Sequence, residues 1–196
     1  MNLPFNPNAE ENRQVILEAL RPYLTGRVLE AGSGTGQHAV YFCRELPELQ
    51  WQTSELAENL PGIRAWIDDS GLDNLLPPIE MDIRGAWPDE TYDTVYSANC
   101  LHIVDAATAA SFIEGAARCL REGGCLAVYG PFNYDGQFTS DSNARFDAML
   151  KSSGMGAGIK DFEWLDRLAR AGGMALEADI AMPANNRSLV WKKTNF

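Results

Sequence analysis

Positive charge is in short supply in this sequence. Its 196 residues hold 16 Lys and Arg against 27 Asp and Glu, a formal net charge of −11. A nucleic-acid binder needs a basic face that neutralises phosphates, and no run of Lys or Arg supplies one. An anionic membrane surface is disfavoured by the same sign. Long apolar runs are missing as well, and nothing approaches the ~20 residues of a membrane-spanning helix. The opening, "MNLPFNPNAEENRQ", has neither a basic region nor an apolar core and does not read as a secretory signal. Cysteine and histidine are sparse. Cys43, Cys100, Cys119 and Cys125 form no C-x-x-C pair, and the two histidines, His38 and His102, stand far apart. Reduced, buried thiols in a cytoplasmic protein, and no metal site, are the expectation. No repeat, low-complexity tract or linker divides residues 1–196, so a single domain is expected, long enough to bury a core.

Present instead is a regular alternation of strand and helix signals. Asn8 is placed to cap a helix running to about Leu20, within an N-terminal segment 1–22 that could act as a lid. "RVLEA" (27–31) reads as a strand, His38–Leu46 as a helix stopped by Pro47, and "LQWQTSE" (49–55) as a second strand. A helix through Ile63, Trp66 and Ile67 leads to "PIEMDI" (78–83) as third strand and "YDTVYSA" (92–98) as fourth. Asp105 caps a helix that Gly123 and Gly124 are expected to end, followed by the continuous apolar run "CLAVYGPF" (125–132), a buried central strand. Helices around Phe146–Leu150 and Trp164–Ala171 precede a closing pair of strands, "MALEADIAM" and "RSLVWKK", joined at "PANN". The pattern predicts an α/β fold: a mostly parallel seven-stranded sheet, an antiparallel C-terminal hairpin, and helices on both faces. In such sheets ligands bind beyond the carboxyl ends of the strands.

The glycines concentrate at that place. "RVLEAGSGTGQH" spends Gly32, Gly34 and Gly36 between a strand and a helix, and each costs roughly 0.5–1 kcal/mol against alanine in regular structure. Close approach of backbone to a ligand is the reason the pattern suggests. A dinucleotide fingerprint would need glycine or alanine where Gln37 stands, and no Lys-Ser/Thr pair follows to make a P-loop. Glu30, just before the loop, suits a cationic group better than a pyrophosphate. S-adenosylmethionine has an ammonium, a sulfonium and an adenosine, and no phosphate. Glu55 at the end of the second strand is placed for ribose hydroxyls, and Asp82 at the end of the third for an adenine amine. The cofactor set is then Glu30, Ala31, Gly32, Ser33, Gly34, Gly36, Glu55, Asp82, Ile83 and Asn99. Glu55 taken alone reads more readily as a solvated strand end, and Asp82 taken alone reads equally well either way. An NAD(P)-dependent oxidoreductase is the rival, weakened by Gln37 and by the lack of a Tyr-x-x-x-Lys pair. A non-catalytic cofactor-binding module would show the same motif.

"VLEAGSGTGQH" with Glu55 and Asp82 resembles the class I, Rossmann-like methyltransferases. More closely, "SGTGQHAVYF", "LPELQWQTSE", "YGPFNYDGQFTSDSNARFDAML", "IKDFEWL" and "MPANNRSLVW" are similar to the methyltransferase-like 26 family, also called domain of unknown function 938. The likeness covers nearly the whole chain and implies a small, stand-alone methyltransferase without an assigned substrate, converting S-adenosylmethionine to S-adenosylhomocysteine. Glu55 departs from that family, which usually has Asp there. After the fourth strand, "SANCLHIV" lacks the Pro-Pro-aromatic signature of adenine and glutamine amide methylation, so a small-molecule acceptor is expected. His102 is the general base best placed by sequence, with packing at a helix start as its alternative. Tyr129, ending the central strand, is the second catalytic candidate. His38 is expected to stay neutral at the positive end of its helix and to orient the loop. Segment 133–173 is expected on the substrate side, with Asn133, Tyr134, Asn143, Asn185 and Asn186 as substrate contacts. Asn185 and Asn186 could instead simply build the hairpin turn. Asn12 or Arg13 is expected to touch the cofactor if the N-terminus closes over it.

Overall fold

The computed structural model describes residues 3–152, 154 and 156–194. Helix α1 (Pro7–Leu20) is capped by Asn6 and not, as the sequence suggested, by Asn8. Pro7 explains the shift: at the first helical position its fixed φ is already helical and its missing N–H is not needed. The Asn6 side chain then accepts from Asn8 N at 3.0 Å. Strand β1 (Arg27–Ala31), helix α2 (Gln37–Glu45), strand β2 (Gln50–Glu55), helix α3 (Leu60–Ser70) and strand β3 (Leu75–Glu80) follow. Strand β3 ends two residues before Asp82, earlier than "PIEMDI" implied, so Asp82 lies in the connection beyond the strand. Its Pro77 and Pro78 are tolerated because β3 is an edge strand, where a missing N–H breaks no inner ladder.

Strand β4 (Tyr92–Ala98) leads to helix α4 (Ala106–Cys119), capped as expected by Asp105, which accepts from Thr108 N at 2.7 Å. Strand β5 (Leu120–Gly130) starts immediately after α4, so Gly123 and Gly124 sit inside the strand and do not terminate the helix. Leu120 pairs with Tyr92 and Cys125 with Thr94, so residues between them bulge out, and Gly123 at φ 74° makes the turn. A short parallel pair, β6 (Phe132–Asn133) with β7 (Lys160–Asp161), brackets helix α5 (Asp141–Ser152). Helix α6 (Phe162–Ala171), β8 (Met174–Ala181) and β9 (Arg187–Lys193) complete the chain, with a 3₁₀ turn at Pro183–Asn185.

The main sheet has seven strands in the order β3-β2-β1-β4-β5-β9-β8. β1 to β5 are parallel, and β9 runs antiparallel to both β5 and β8. This is the α/β fold expected from the alternation of signals. Alternate residues of the central strands feed two cores. Leu29, Val95 and Leu126 pack with Phe112 of α4 and Leu165 of α6. Val28, Tyr96 and Ala127 pack on the other face with Ile16 of α1 and Phe42 of α2. No described helix is long and apolar enough to cross a membrane. The carboxyl ends of β1, β2, β4 and β5 converge, and the order reverses between β1 and β4, which opens a crevice there.

Candidate functional site

Three cavities meet at this end of the sheet. The first, about 500 Å³, is walled by Gly32, Gly34, Glu55, Met81, Asp82, Ile83, Asn99 and neighbours. A narrow recess of about 70 Å³ lies beside it, with Glu30, Ser33, Gln37 and His38 in its walls. On the other side is a chamber of about 600 Å³ bordered by His102, Tyr129, Asn143 and Asn186. Asn6 and Asn99 belong to all three walls. Asn99 is held at φ 57° immediately after β4, its N–H donating to Tyr129 O at 2.8 Å. For a non-glycine residue this left-handed conformation is uncommon. It turns the chain sharply where the first cavity meets the chamber.

The glycines of the loop do different things. Gly34, at φ 56°, has nothing within 4 Å of where a Cβ would stand, so it leaves the cavity floor open. A Cβ on Gly32 would come within 3.2 Å of the Cys100 sulfur, and one on Gly36 within 3.2 Å of Ile63 Cγ2. Gly32 thus makes room for the loop after β4, and Gly36 lets α2 approach α3. Ser54 staples the loop down: its carbonyl accepts from Gly32 N and Ser33 N, and its hydroxyl donates to Glu30 O at 2.7 Å.

Glu30 is 2% exposed, its carboxylate accepting from Trp51 Nε1 at 3.1 Å. Burial, against that hydrogen bond, raises its pKa to about 7. Beside it, Gln37 Oε1 accepts from Asn6 N at 2.6 Å and Thr35 Oγ1 at 2.9 Å. Those two donors fix the amide, and Gln37 Nε2 is left buried without a partner among the described residues. The recess therefore pairs a buried carboxylate with an unused N–H donor, complementary to an amino acid's ammonium and carboxylate. A sequence reading that saw Gln37 only as a break in the dinucleotide pattern missed this donor.

Glu55 accepts from Gly34 N and Leu56 N, both at 2.9 Å, and borders the first cavity with Leu56. Asp82 lines it too, but its carboxylate is engaged by Arg84, whose Nε and Nη2 donate at 3.0 and 2.6 Å. These bonds and the Arg84 backbone N–H hold its pKa below the ordinary carboxylate value. Apolar side chains the sequence reading did not name, Leu56, Met81, Ile103 and Val104, flank Asp82 and Ile83. Ile103 is an exposed large hydrophobic residue, and its position in "CLHIV" just past a strand end was the available signal. Ala31 packs in the core and, like Gly36, lines none of the three cavities.

In the chamber, His102 is buried and its ring meets Phe146 edge-on at 5.3 Å. Burial, helped by the Lys160 charge, lowers its pKa to about 4. His38 is likewise lowered to about 4, by burial, and is fixed at both nitrogens: Nε2 by Asn12 Oδ1 at 2.8 Å, Nδ1 by the Tyr96 hydroxyl at 3.1 Å. Tyr129 receives Asn186 Nδ2 at 3.0 Å, and burial raises its pKa. Asn143 donates to Thr139 Oγ1 and Asn185 O. Asn185, at φ 59°, donates to Ser142 Oγ at 3.3 Å and does not line the chamber.

Asn133 and Tyr134 are not brought to the chamber either. Tyr134 stacks on Phe162 and donates to the Asp179 carboxylate at 2.9 Å, bracing the sheet's β8 side. Of the N-terminal residues, Asn12 reaches His38, whereas Arg13 pairs with Glu10 at 2.5 Å and lies over Tyr41. The segment before α1 is strapped across the crevice by Trp66 Nε1, which donates to Pro4 O at 2.7 Å. All four cysteines are free, and among the described residues no cluster of His, Cys, Asp or Glu could hold a metal ion.

The family model described as "Protein of unknown function (DUF938)" matches residues 3–193. Among solved structures, an O-methyltransferase family protein from Burkholderia thailandensis superposes with TM-score 0.83 at 20% identity, covering 96% of this chain and 57% of that one. The S-adenosylmethionine-dependent methyltransferase SibL gives 0.82 at 20% identity, over 95% and 56%. The mitomycin 7-O-methyltransferase MmcR gives 0.80 at 15%, over 96% and 58%. At these identities the likeness is one of fold, and the chain spans a little over half the length of each.

Proposed function

The chain belongs to the DUF938 family, and on that footing we propose that it is an S-adenosylmethionine-dependent methyltransferase acting on a small molecule. The observation that carries this reading is the recess beside the glycine loop. A buried carboxylate on Glu30 and an unpartnered amide donor on Gln37 suit the zwitterionic end of that cofactor. A pyrophosphate would instead face Glu30 and Glu55. The residues at hand fit the rest as well. Glu55 would bind the ribose hydroxyls, and Leu56, Met81, Ile83, Ile103 and Val104 offer apolar walls for the adenine ring. Asp82 would reach the adenine amine with Arg84 swung aside. When bound, S-adenosylmethionine supplies a methyl group activated on a sulfonium.

Little covalent work is then left to the protein, whose task is to hold an acceptor atom close and aligned and to keep water out. The chamber across Asn99 is placed for that. His102 is neutral at physiological pH and free to accept a hydrogen bond from the acceptor. A pKa of about 4 makes it a weak proton acceptor, so orienting the nucleophile is its main contribution. Tyr129 and Asn186 border the same space. The sequence likeness to methyltransferase-like 26 proteins and the fold shared with O-methyltransferases support the reading, and the free cysteines support a cytoplasmic enzyme.

A thermal-shift comparison tests it. S-adenosylhomocysteine at 100 times its Kd adds about 2.7 kcal/mol to stability, and nicotinamide dinucleotides add nothing. Glu55→Ala weakens S-adenosylhomocysteine at least tenfold. Stabilisation by a dinucleotide and not by S-adenosylhomocysteine overturns the proposal. Tight cofactor binding without transfer of labelled methyl groups into any component of a cell extract points to a binding module.

A further inference from the structure

The chamber's polar wall has a direction, set by where its hydrogen bonds already go. Asparagines dominate it: Asn6, Asn8, Asn12, Asn99, Asn143 and Asn186. An amide side chain carries one oxygen acceptor and one NH₂ donor group, so its bonds to the protein decide which end faces a ligand. Asn143 Nδ2 donates to Thr139 Oγ1 at 2.9 Å and Asn185 O at 3.2 Å. Asn186 Nδ2 donates to the Tyr129 hydroxyl at 3.0 Å and Pro183 O at 3.3 Å. Each NH₂ group faces a backbone carbonyl, which can only accept, so neither amide can be flipped. Their Oδ1 atoms are left for whatever enters. Asn12 Oδ1 is spent on His38 Nε2. Among the described residues Glu11 is the one charged side chain in the wall, and no Lys or Arg lines it. Lys160, the cation nearest His102 in electrostatic effect, donates to Val104 O and Gly158 O.

Tyr129 supplies the complementary group. Its oxygen receives the N–H of Asn186. Its own proton is therefore free to point into the chamber and asks for a single acceptor atom on the ligand.

Resting on the methyl-transfer reading, we propose that the methyl acceptor is a small molecule bearing several hydrogen-bond donors and no negative charge: an amine or hydroxyl compound, and not a carboxylate or phosphate. About 600 Å³ suits a ligand of that size. An anion would set its charge against Glu11 and the two amide oxygens and would meet no Lys or Arg among the described lining residues, and a buried group left unpaired costs more than a formed bond returns.

Saturation-transfer NMR on the full chain, saturated with S-adenosylhomocysteine, tests this with matched triplets of fragments that share a ring and differ in one group. Tyramine, tyrosol and 4-hydroxyphenylacetate form one such set. The amine and the alcohol bind, and the carboxylate binds at least fivefold more weakly. Glu11→Lys, on the exposed side of α1, narrows or inverts that preference. Equal or stronger binding of carboxylates to the natural chain overturns the proposal, as does a preference that Glu11→Lys leaves unchanged, or binding by no member of any set. If S-adenosylhomocysteine itself fails to bind, it is the methyl-transfer reading that falls. The same fragments without cofactor then still report on the chamber.

Discussion

At the scale of single residues, the site holds three titratable groups whose burial sets opposing pH dependences. Glu30 titrates at about 7 in the folded chain, above the 4.5 of a free glutamate. The unfolded chain therefore gives up this proton first, and the group's contribution to stability is lost as pH rises from 4.5 to 7. His38 and His102 are lowered from 6.5 to about 4, so their contributions are lost as pH falls through that interval. Each displacement is worth roughly 3 kcal/mol. Glu30→Gln removes only the first effect. Urea unfolding should show the variant close to the natural protein at pH 5 and up to ~3 kcal/mol more stable at pH 8, while its affinity for S-adenosylhomocysteine falls. A Glu30→Gln protein no more stable at pH 8 would show that the carboxylate is not desolvated.

Residue-level legibility followed the strand ends. Glu30, Glu55, Gly34 and Asn99 could be placed because a strand fixes where its last residues point. Asp82 lay beyond a strand end in a loop, and its capture by Arg84 two residues later left no mark in any pattern. Tyr134 was drawn away by Asp179, 45 positions along the chain, a contact no local spacing announces.

At the scale of elements, glycine positions distinguish packing from ligand approach. Gly115 on α4 faces Trp87, and a Cβ there would fall 2.2 Å from Trp87 Cε2. Gly115→Ala should cost about 1–3 kcal/mol, read as a lower Tm, with cofactor affinity per folded molecule nearly unchanged. Gly34→Ala meets no neighbour, carries about 1 kcal/mol of left-handed backbone strain, and places a methyl group in the cavity. Its loss of S-adenosylhomocysteine affinity should exceed its loss of stability; the reverse order would make Gly34 a turn residue alone. The sequence misplaced elements where ordinary signals carry a second meaning. Proline usually closes a strand, yet Pro77 and Pro78 sit within β3 because it is an edge. Paired glycines usually end a helix, yet Gly123 and Gly124 form a bulge inside β5.

At the scale of the whole molecule, alternation of strand and helix signals sufficed for a mostly parallel seven-stranded sheet with an antiparallel C-terminal hairpin, though not for the order of its strands. It said nothing of how distant segments close the carboxyl end of the sheet. The chamber is walled by α1, by the start of α5 and by the turn between β8 and β9. Within that wall, side-chain amides that could equally have faced solvent bond residues 42 and 57 positions apart, Asn143 to Asn185 and Asn186 to Tyr129. The strap from Pro4 to Trp66 and the bond from Asn6 N to Gln37 tie the N-terminal segment to the recess. One segment thus borders the cofactor side and the acceptor side together.

The most direct measurement is a crystal structure of the chain with S-adenosylhomocysteine. The predicted result has the amino group on Glu30, the carboxylate on Gln37 Nε2, the ribose on Glu55 and the sulfur beside Asn99, facing the chamber. An S-adenosylhomocysteine bound elsewhere, or a pyrophosphate seated against the glycine loop when dinucleotide is supplied, would contradict it.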